Sequence, residues 1–183
     1  MSETTPFERV LGTAFANLPA PVRELHALRN SAMTSGLAEI AAEPGALKWL
    51  LCKLAGLPQP GLDVPVTVRF IPDPRGSERW ERRFGDRRYA SWMEAGSGRD
   101  AGCLIEHFGM FDLRFRLQPS DKSLRWTLAG WRWLGMPLPA WSVPQIDCLE
   151  SGNGNRFCFD IDVAFPFLGP VLRYKGWLER AGP

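Results

Sequence analysis

The sequence predicts an α+β fold: N-terminal helices packed on a strongly curved antiparallel sheet of about nine strands, approaching a half-open barrel. Three observations predict it. Apolar residues recur at helical spacing through the first third of the chain and switch to a period of two from Val64 onward. Turn-forming clusters then punctuate the sequence at hairpin intervals. Finally, 183 residues with 45% hydrophobic content, eight Trp and eleven Phe can fill one substantial core. The expected organisation is a single domain over 1–183, mainly helical over 1–60 and mainly antiparallel β over 61–183.

Phe7, Val10, Leu11, Ala14 and Phe15 mark a first helix, with Thr5 as its cap and Pro6 in its first turn, where the missing N–H would have no partner anyway. Asn17-Leu18-Pro19 stops it. A second helix from Pro21 puts Val22, Leu25 and His26 on one face. Residues 31–44 show no clear period, with Gly36 and Pro44 as breakers. A third helix over 45–55 turns Leu47, Leu50, Leu51 and Leu54 inward, and Gly56, Pro58 and Pro60-Gly61 follow it.

Beyond that point Val66, Val68 and Phe70 alternate with Thr67 and Arg69. Phe111, Leu113, Phe115 and Leu117 alternate with Asp112, Arg114, Arg116 and Gln118, and Phe157 to Phe165 follows the same rule. Such runs are half-buried antiparallel strands with one wet face. One run breaks the pattern. Leu124, Trp126 and Leu128 occupy one face but Trp131 and Trp133 the other, so a bulge or bend is expected at Gly130, with both faces apolar. Met136 to Pro144 is too rich in proline for a central strand and reads as a loop or lid carrying Trp141. The hairpin at Asn153 has two registers. Centred on Asn153, it sets Glu150 opposite Arg156 as a surface ion pair. Shifted by one residue, it sets Glu150 opposite Phe157, on the apolar face of Phe159 and Ile161. The second buries more apolar area and is favoured.

The bulk numbers exclude several classes. A net charge of +2, spread evenly, leaves no basic stripe for nucleic acid. Cys52, Cys103, Cys148 and Cys158 form no CxxC, so no structural zinc and no other metal is expected, and free thiols in a reducing compartment are. No apolar stretch is long enough for a membrane span. Acids stand where a signal peptide would be basic, which reads as cytoplasmic. The Gly-rich nucleotide loops, HExxH and GxSxG are missing, and no cofactor is expected.

Candidate site residues come from charges that parity places on apolar faces. Glu106 shares a face with Leu104 and Phe108, while His107 points the other way. Trp80, Arg82 and Phe84 share a face, so an inward Arg82 is the natural partner of Glu106, because burying either charge alone is costly. Arg132 is a second candidate inward cation, and His26 is either a core-edge histidine or a pocket donor. Trp80 and Trp126 could wall a cavity for an apolar or amphipathic ligand.

Four blocks recur in the right order: Leu18-Pro19-x-x-Val22-Arg23-x-Leu25-His26, Trp80-x-Arg82-x-Phe84-Gly85, Gly135-x-Pro137-Leu138-Pro139 and Tyr174-x-Gly176-x-Leu178. Together they resemble the bacterial family called domain of unknown function 4166, over about residues 15–179. The resemblance implies a stand-alone member of a family that elsewhere follows an oxidoreductase domain similar to saccharopine dehydrogenase. It carries over Arg23, His26, Trp80, Arg82, Glu106, Glu150 and Tyr174 as motif positions and gives none of them a catalytic role.

The leading functional expectation is a non-enzymatic module holding a small hydrophobic or amphipathic ligand between sheet and helices, with Arg82 or Arg132 orienting its polar head. One alternative is an accessory domain whose Trp-rich lid docks an oxidoreductase partner. The other is an acid/base enzyme of the isomerase or hydratase type, using His26 with Glu106 or Glu150.

Overall fold

The computed structural model describes residues 4–54 and 56–180, with only the backbone described at Leu54. Among these residues three short α-helices, α1 (Pro6–Leu11), α2 (Ala20–His26) and α3 (Ala46–Leu54), accompany eleven strands. The strands are β1 (Ala32–Ala42), β2 (Gly61–Pro72), β3 (Glu78–Phe84), β4 (Arg87–Ala95), β5 (Cys103–Phe108), β6 (Phe111–Pro119), β7 (Ser123–Trp133), β8 (Met136–Pro137), β9 (Gln145–Asn153), β10 (Arg156–Phe165) and β11 (Gly169–Arg180). Ten of them close into a barrel in the order β1-β2-β3-β4-β5-β6-β7-β9-β10-β11, all pairs antiparallel. β8 pairs only with the end of β7 and stays outside the ring.

The fold is therefore a closed barrel with few helices rather than an α+β half-open sheet of about nine strands. Closure rests on the long-range ladder that joins the first strand to the last, β1 to β11, and on the pairing of β7 with β9 past β8. β1 is the strand that the sequence left without a period, inside the region expected to be mainly helical. Its inward residues include Thr34, Gly36 and Ala38, too small to produce an apolar alternation, and its Ala, Leu and Glu favour helix in isolation. Two flanking ladders override that propensity. Gly36 also permits a close strand approach, since a Cβ there would lie 1.8 Å from the Trp177 carbonyl oxygen.

Register fixes which side chains face the lumen. Trp80, Arg82 and Phe84 of β3 lie opposite Ser91, Tyr89 and Arg87 of β4. Met93 of β4 lies opposite Glu106 of β5, which lies opposite Leu113 of β6. The expected irregularity in β7 exists, with Ala129 as the extra residue beside Gly130. Its effect is the reverse of that expected. The bulge restores parity, so Trp131 and Trp133 pair with Leu113 and Phe111 on the face that Leu128 already occupies. The β9–β10 hairpin adopts neither of the two registers weighed. A two-residue turn at Gly154-Asn155, with Gly154 at φ +59, sets Glu150 opposite Phe159. Glu150 nevertheless lands on the apolar face, with 2% of its surface exposed.

The N-terminal segment stoppers one end of the barrel. Thr5 caps α1 in a capping box with Glu8. A 3₁₀ turn over Gly12–Asn17 leads to α2. α1 packs against β4, β5 and β6, and α2 against β9 and β10. Phe7, Val22 and His26 are fully buried there. α3 lies at the opposite end, between β1 and β2. Its expected inward face is corrected: Leu47 is 57% and Leu50 44% exposed. Helical periodicity reveals an apolar face but not whether anything covers it. The Leu54 side chain and Ala55, also part of that expectation, lie outside the described residues.

The outer wall is wet. Cross-strand ion pairs cover it, among them Arg125 with Asp147, Arg156 with Glu179, Arg173 with Asp160 and Lys175 with Glu39. With charge outside and apolar residues within, the wall is the inverse of a membrane-crossing barrel.

Candidate functional site

The lumen contains two polar groupings at different depths. The deeper one lies beneath the stopper. His26 Nε2 and Glu150 Oε2 are 2.7 Å apart, a distance that requires one proton between them. Phe7 stacks on the imidazole with ring centroids 3.7 Å apart, and Trp80 and Trp126 flank the pair. Glu78 accepts a 2.7 Å hydrogen bond from Trp80 Nε1 and is 1% exposed. Burial pushes its carboxyl up from 4.5 to about 7, even though His26 and the Trp80 N–H pull it back. His26 Nδ1 and Trp126 Nε1 are buried without a hydrogen-bond partner.

The second grouping lies at mid-depth. Arg82 Nη2 is 3.3 Å from Glu106 Oε1, and Arg82 Nη1 donates to Ser91 Oγ at 2.6 Å. The guanidinium lies 4.7 Å from the Trp80 ring and 5.6 Å from that of Tyr89. Tyr89 and Tyr174 both pack against Phe84, with ring centroids 6.0 and 5.6 Å from its ring. Since β4 and β11 are separated by three strands in the ring, the two tyrosines approach Phe84 from different sides of the lumen. Burial raises the Tyr89 hydroxyl to about 12 and pushes Tyr174 well up, so both stay protonated donors at neutral pH. Phe84 and Phe159 pack against Tyr174 and fill that side of the barrel.

Exposure separates the two groupings. Everything beneath the stopper is shut off from solvent. Arg82 and Glu106, by contrast, each keep 13% of their side-chain surface accessible halfway along a closed barrel. Tyr89, Leu113, Ile146, Ile161 and Tyr174, all inward-facing and nearer the open end, are half-buried. The half-buried inward side chains thus lie on the side of the Arg82–Glu106 pair away from α1.

The sequence candidates thus fall into four places. His26, Glu150, Trp80 and Trp126 converge beneath the stopper, but Phe7 occupies the space that the two tryptophans were expected to wall. An acid/base pair of His26 and Glu150 has its hydrogen bond and lacks a route for substrate, and Glu106 pairs with Arg82 instead. Arg82, Glu106 and Tyr174 belong to the accessible half. Arg23 donates to the Ala16 and Leu18 carbonyls and ties the 3₁₀ turn to α2. Arg132 stands on the outer wall, 2.6 Å from Asp100, because the bulge directs Trp131 and Trp133 inward instead. Sequence reasoning missed Glu78, Ser91, Tyr89 and Phe7. Glu78 alone carried a signal, sharing the even register of Trp80 and Arg82.

Two surface clefts lie outside the lumen. One, of about 260 Å³, runs between the α1 cap and the β2–β3 turn; the other, of about 170 Å³, lies between Ile105 and Val143 on the outer wall. Among the described residues no group of three His, Cys, Asp or Glu side chains is placed to hold a metal ion, and no helix is long and apolar enough to cross a membrane.

Comparison with the solved structures finds the crystal structure of Rv2717c from M. tuberculosis at a TM-score of 0.48 and 11% sequence identity, covering 90% of this chain and 99% of that one. Comparison with the curated proteins returns no match. The model of the family described as Domain of unknown function (DUF4166) matches residues 18–178, and the chain belongs to that family.

Proposed function

We propose that the protein is a binding module for a small amphipathic molecule, taken into the accessible half of the lumen. One observation carries the reading. A paired cation and carboxylate remain solvent-accessible deep inside a barrel whose other end is stoppered. Ligand sites are concave and mostly apolar, with a few convergent polar groups that fix orientation. Leu113, Ile146 and Ile161 supply the apolar wall. Arg82 supplies N–H donors, Glu106 an acceptor and Tyr89 a neutral hydroxyl. A polar end that both accepts and donates, such as a carboxylic acid, fits that set, and its tail would point toward the mouth.

The test is native mass spectrometry of freshly purified protein, followed by organic extraction and small-molecule mass analysis. A stoichiometric added mass from an amphipathic compound, lost in Arg82→Met, is the expected result. The reading fails if the protein has its bare mass and a titrated fluorescent fatty acid gives no saturable binding.

A further inference from the structure

The end of the barrel around the mouth carries nearly all of the exposed apolar surface. Of the twelve large hydrophobic residues described as exposed, ten lie in the connections or adjoining strand ends at that end, Leu62, Trp133 and Met136 being in strands; Met33 and Trp92 are the exceptions. The surface is continuous. α3 contributes Leu47, Trp49 and Leu50 and packs against β11, whose preceding turn carries Phe167, 91% exposed. Phe167 packs against Trp141, with ring centroids 6.3 Å apart. Trp141 belongs to the same β7–β9 connection as Leu134, and the Leu134 N–H donates to the Met110 carbonyl in the β5–β6 turn. The arc runs from α3 by way of β11 round to β5, and leaves out the β3–β4 turn at Gly85-Asp86, which Arg87 and Arg88 follow.

Two features say what covers this arc. Its residues sit on connections that all lie at one end of the barrel, which suits an extended surface rather than a narrow groove. In addition, α3 is a cationic amphipathic helix. Ala46–Leu54 holds Lys48 and Lys53 and no acid, with the Lys53 ammonium 4.8 Å from the Trp49 ring. Exposed Trp and Leu beside Lys is the composition of a helix lying in a membrane interface, its cations facing anionic headgroups. We infer that the mouth end docks on an anionic lipid bilayer surface, with α3, Trp141 and Phe167 entering the headgroup region and the outer wall remaining in water. Docking would bring the mouth against a source of amphipathic molecules, but the inference does not rest on the lumen holding one.

Flotation of the full chain with vesicles tests it, using phosphatidylcholine alone and phosphatidylcholine with about a quarter phosphatidylglycerol. The protein is expected to float with the anionic vesicles and much less with neutral ones. Trp49→Glu and Phe167→Glu should each weaken binding by about tenfold or more, the loss of one buried aromatic contact. Lys48→Glu with Lys53→Glu should abolish the preference for anionic lipid, and Trp92→Ser, on the outer wall, should change nothing. These side chains are exposed, so the variants should fold, and far-UV circular dichroism checks that they do. Flotation that is missing, or indifferent to both Trp49→Glu and Phe167→Glu, overturns the inference. So does concentration-dependent dimerisation through these residues without flotation, which would make the arc an interface between copies of the chain. Because the lumen reading is scored by extracted ligand, either result can fail alone.

Discussion

Replacing Glu78 with Gln should stabilise the protein at alkaline pH and do much less at acidic pH. Glu78 is 1% exposed, and its carboxyl is raised by burial from 4.5 to about 7. The folded value lies above the unfolded one, so between those two pH values the folded protein holds a proton that the unfolded chain has released. Stability therefore falls as pH rises through this window, and the loss is complete above about 7. At 1.36 kcal/mol per unit the full penalty is about 3 kcal/mol, of which about 2.5 kcal/mol falls between pH 5 and pH 8. Gln cannot ionise, and its Oε1 can still accept the Trp80 N–H at the same place. Urea denaturation of both proteins at pH 5 and pH 8 isolates the effect, since other titrating groups cancel in the difference. Glu78→Gln should gain about 2.5 kcal/mol relative to wild type on going from pH 5 to pH 8. An unchanged difference would refute the reasoning and place an ionised, fully compensated carboxylate at residue 78.

Three further outcomes follow from the same geometry. Phe7→Ala, which empties the space over His26, should cost about 3–5 kcal/mol in urea unfolding; a cost below about 1 kcal/mol would mean that α1 does not hold the stopper in place. Arg82→Met should cost about 3 kcal/mol by leaving Glu106 uncompensated, and adding Glu106→Leu should recover most of it; additive losses would show that the two do not act as a pair. His107 should titrate above an ordinary histidine in an NMR pH series: burial lowers its pKa, but Asp112 and Glu94 outweigh burial. The stabilisation they give is present at low pH and lost as pH rises through the raised value, and Asp112→Asn should shift the titration down.

The strand faces were legible because apolar and polar residues alternate strictly. Phe111, Leu113, Phe115 and Leu117 are read correctly from spacing alone, as is the inward parity of Arg82 and Glu106. Closure was not legible. It depends on β1, whose small inward residues leave no pattern, and on pairings between strands far apart in sequence. The bulge at Ala129 was located through Gly130, yet its effect on Trp131 depends on which partner residue each side of the bulge meets, and only the β6 ladder decides that. Turn length, equally hidden, shifted Glu150 by two positions against β10 without moving it off the apolar face. The candidate list brought together residues from both polar groupings because parity assigns a face and not a depth. Phe7 escaped because a helical phenylalanine at a core position gives no sign that it will fill a barrel lumen.

The proposed function requires amphipathic molecules to enter from the mouth and stop at Arg82. Methyl-resolved NMR during titration with a medium-chain fatty acid tests this most directly. Saturable shifts are predicted at Leu113, Ile146 and Ile161, with Val22 and Leu25 of the stopper unmoved. Shifts confined to the stopper end, or none anywhere, would contradict it.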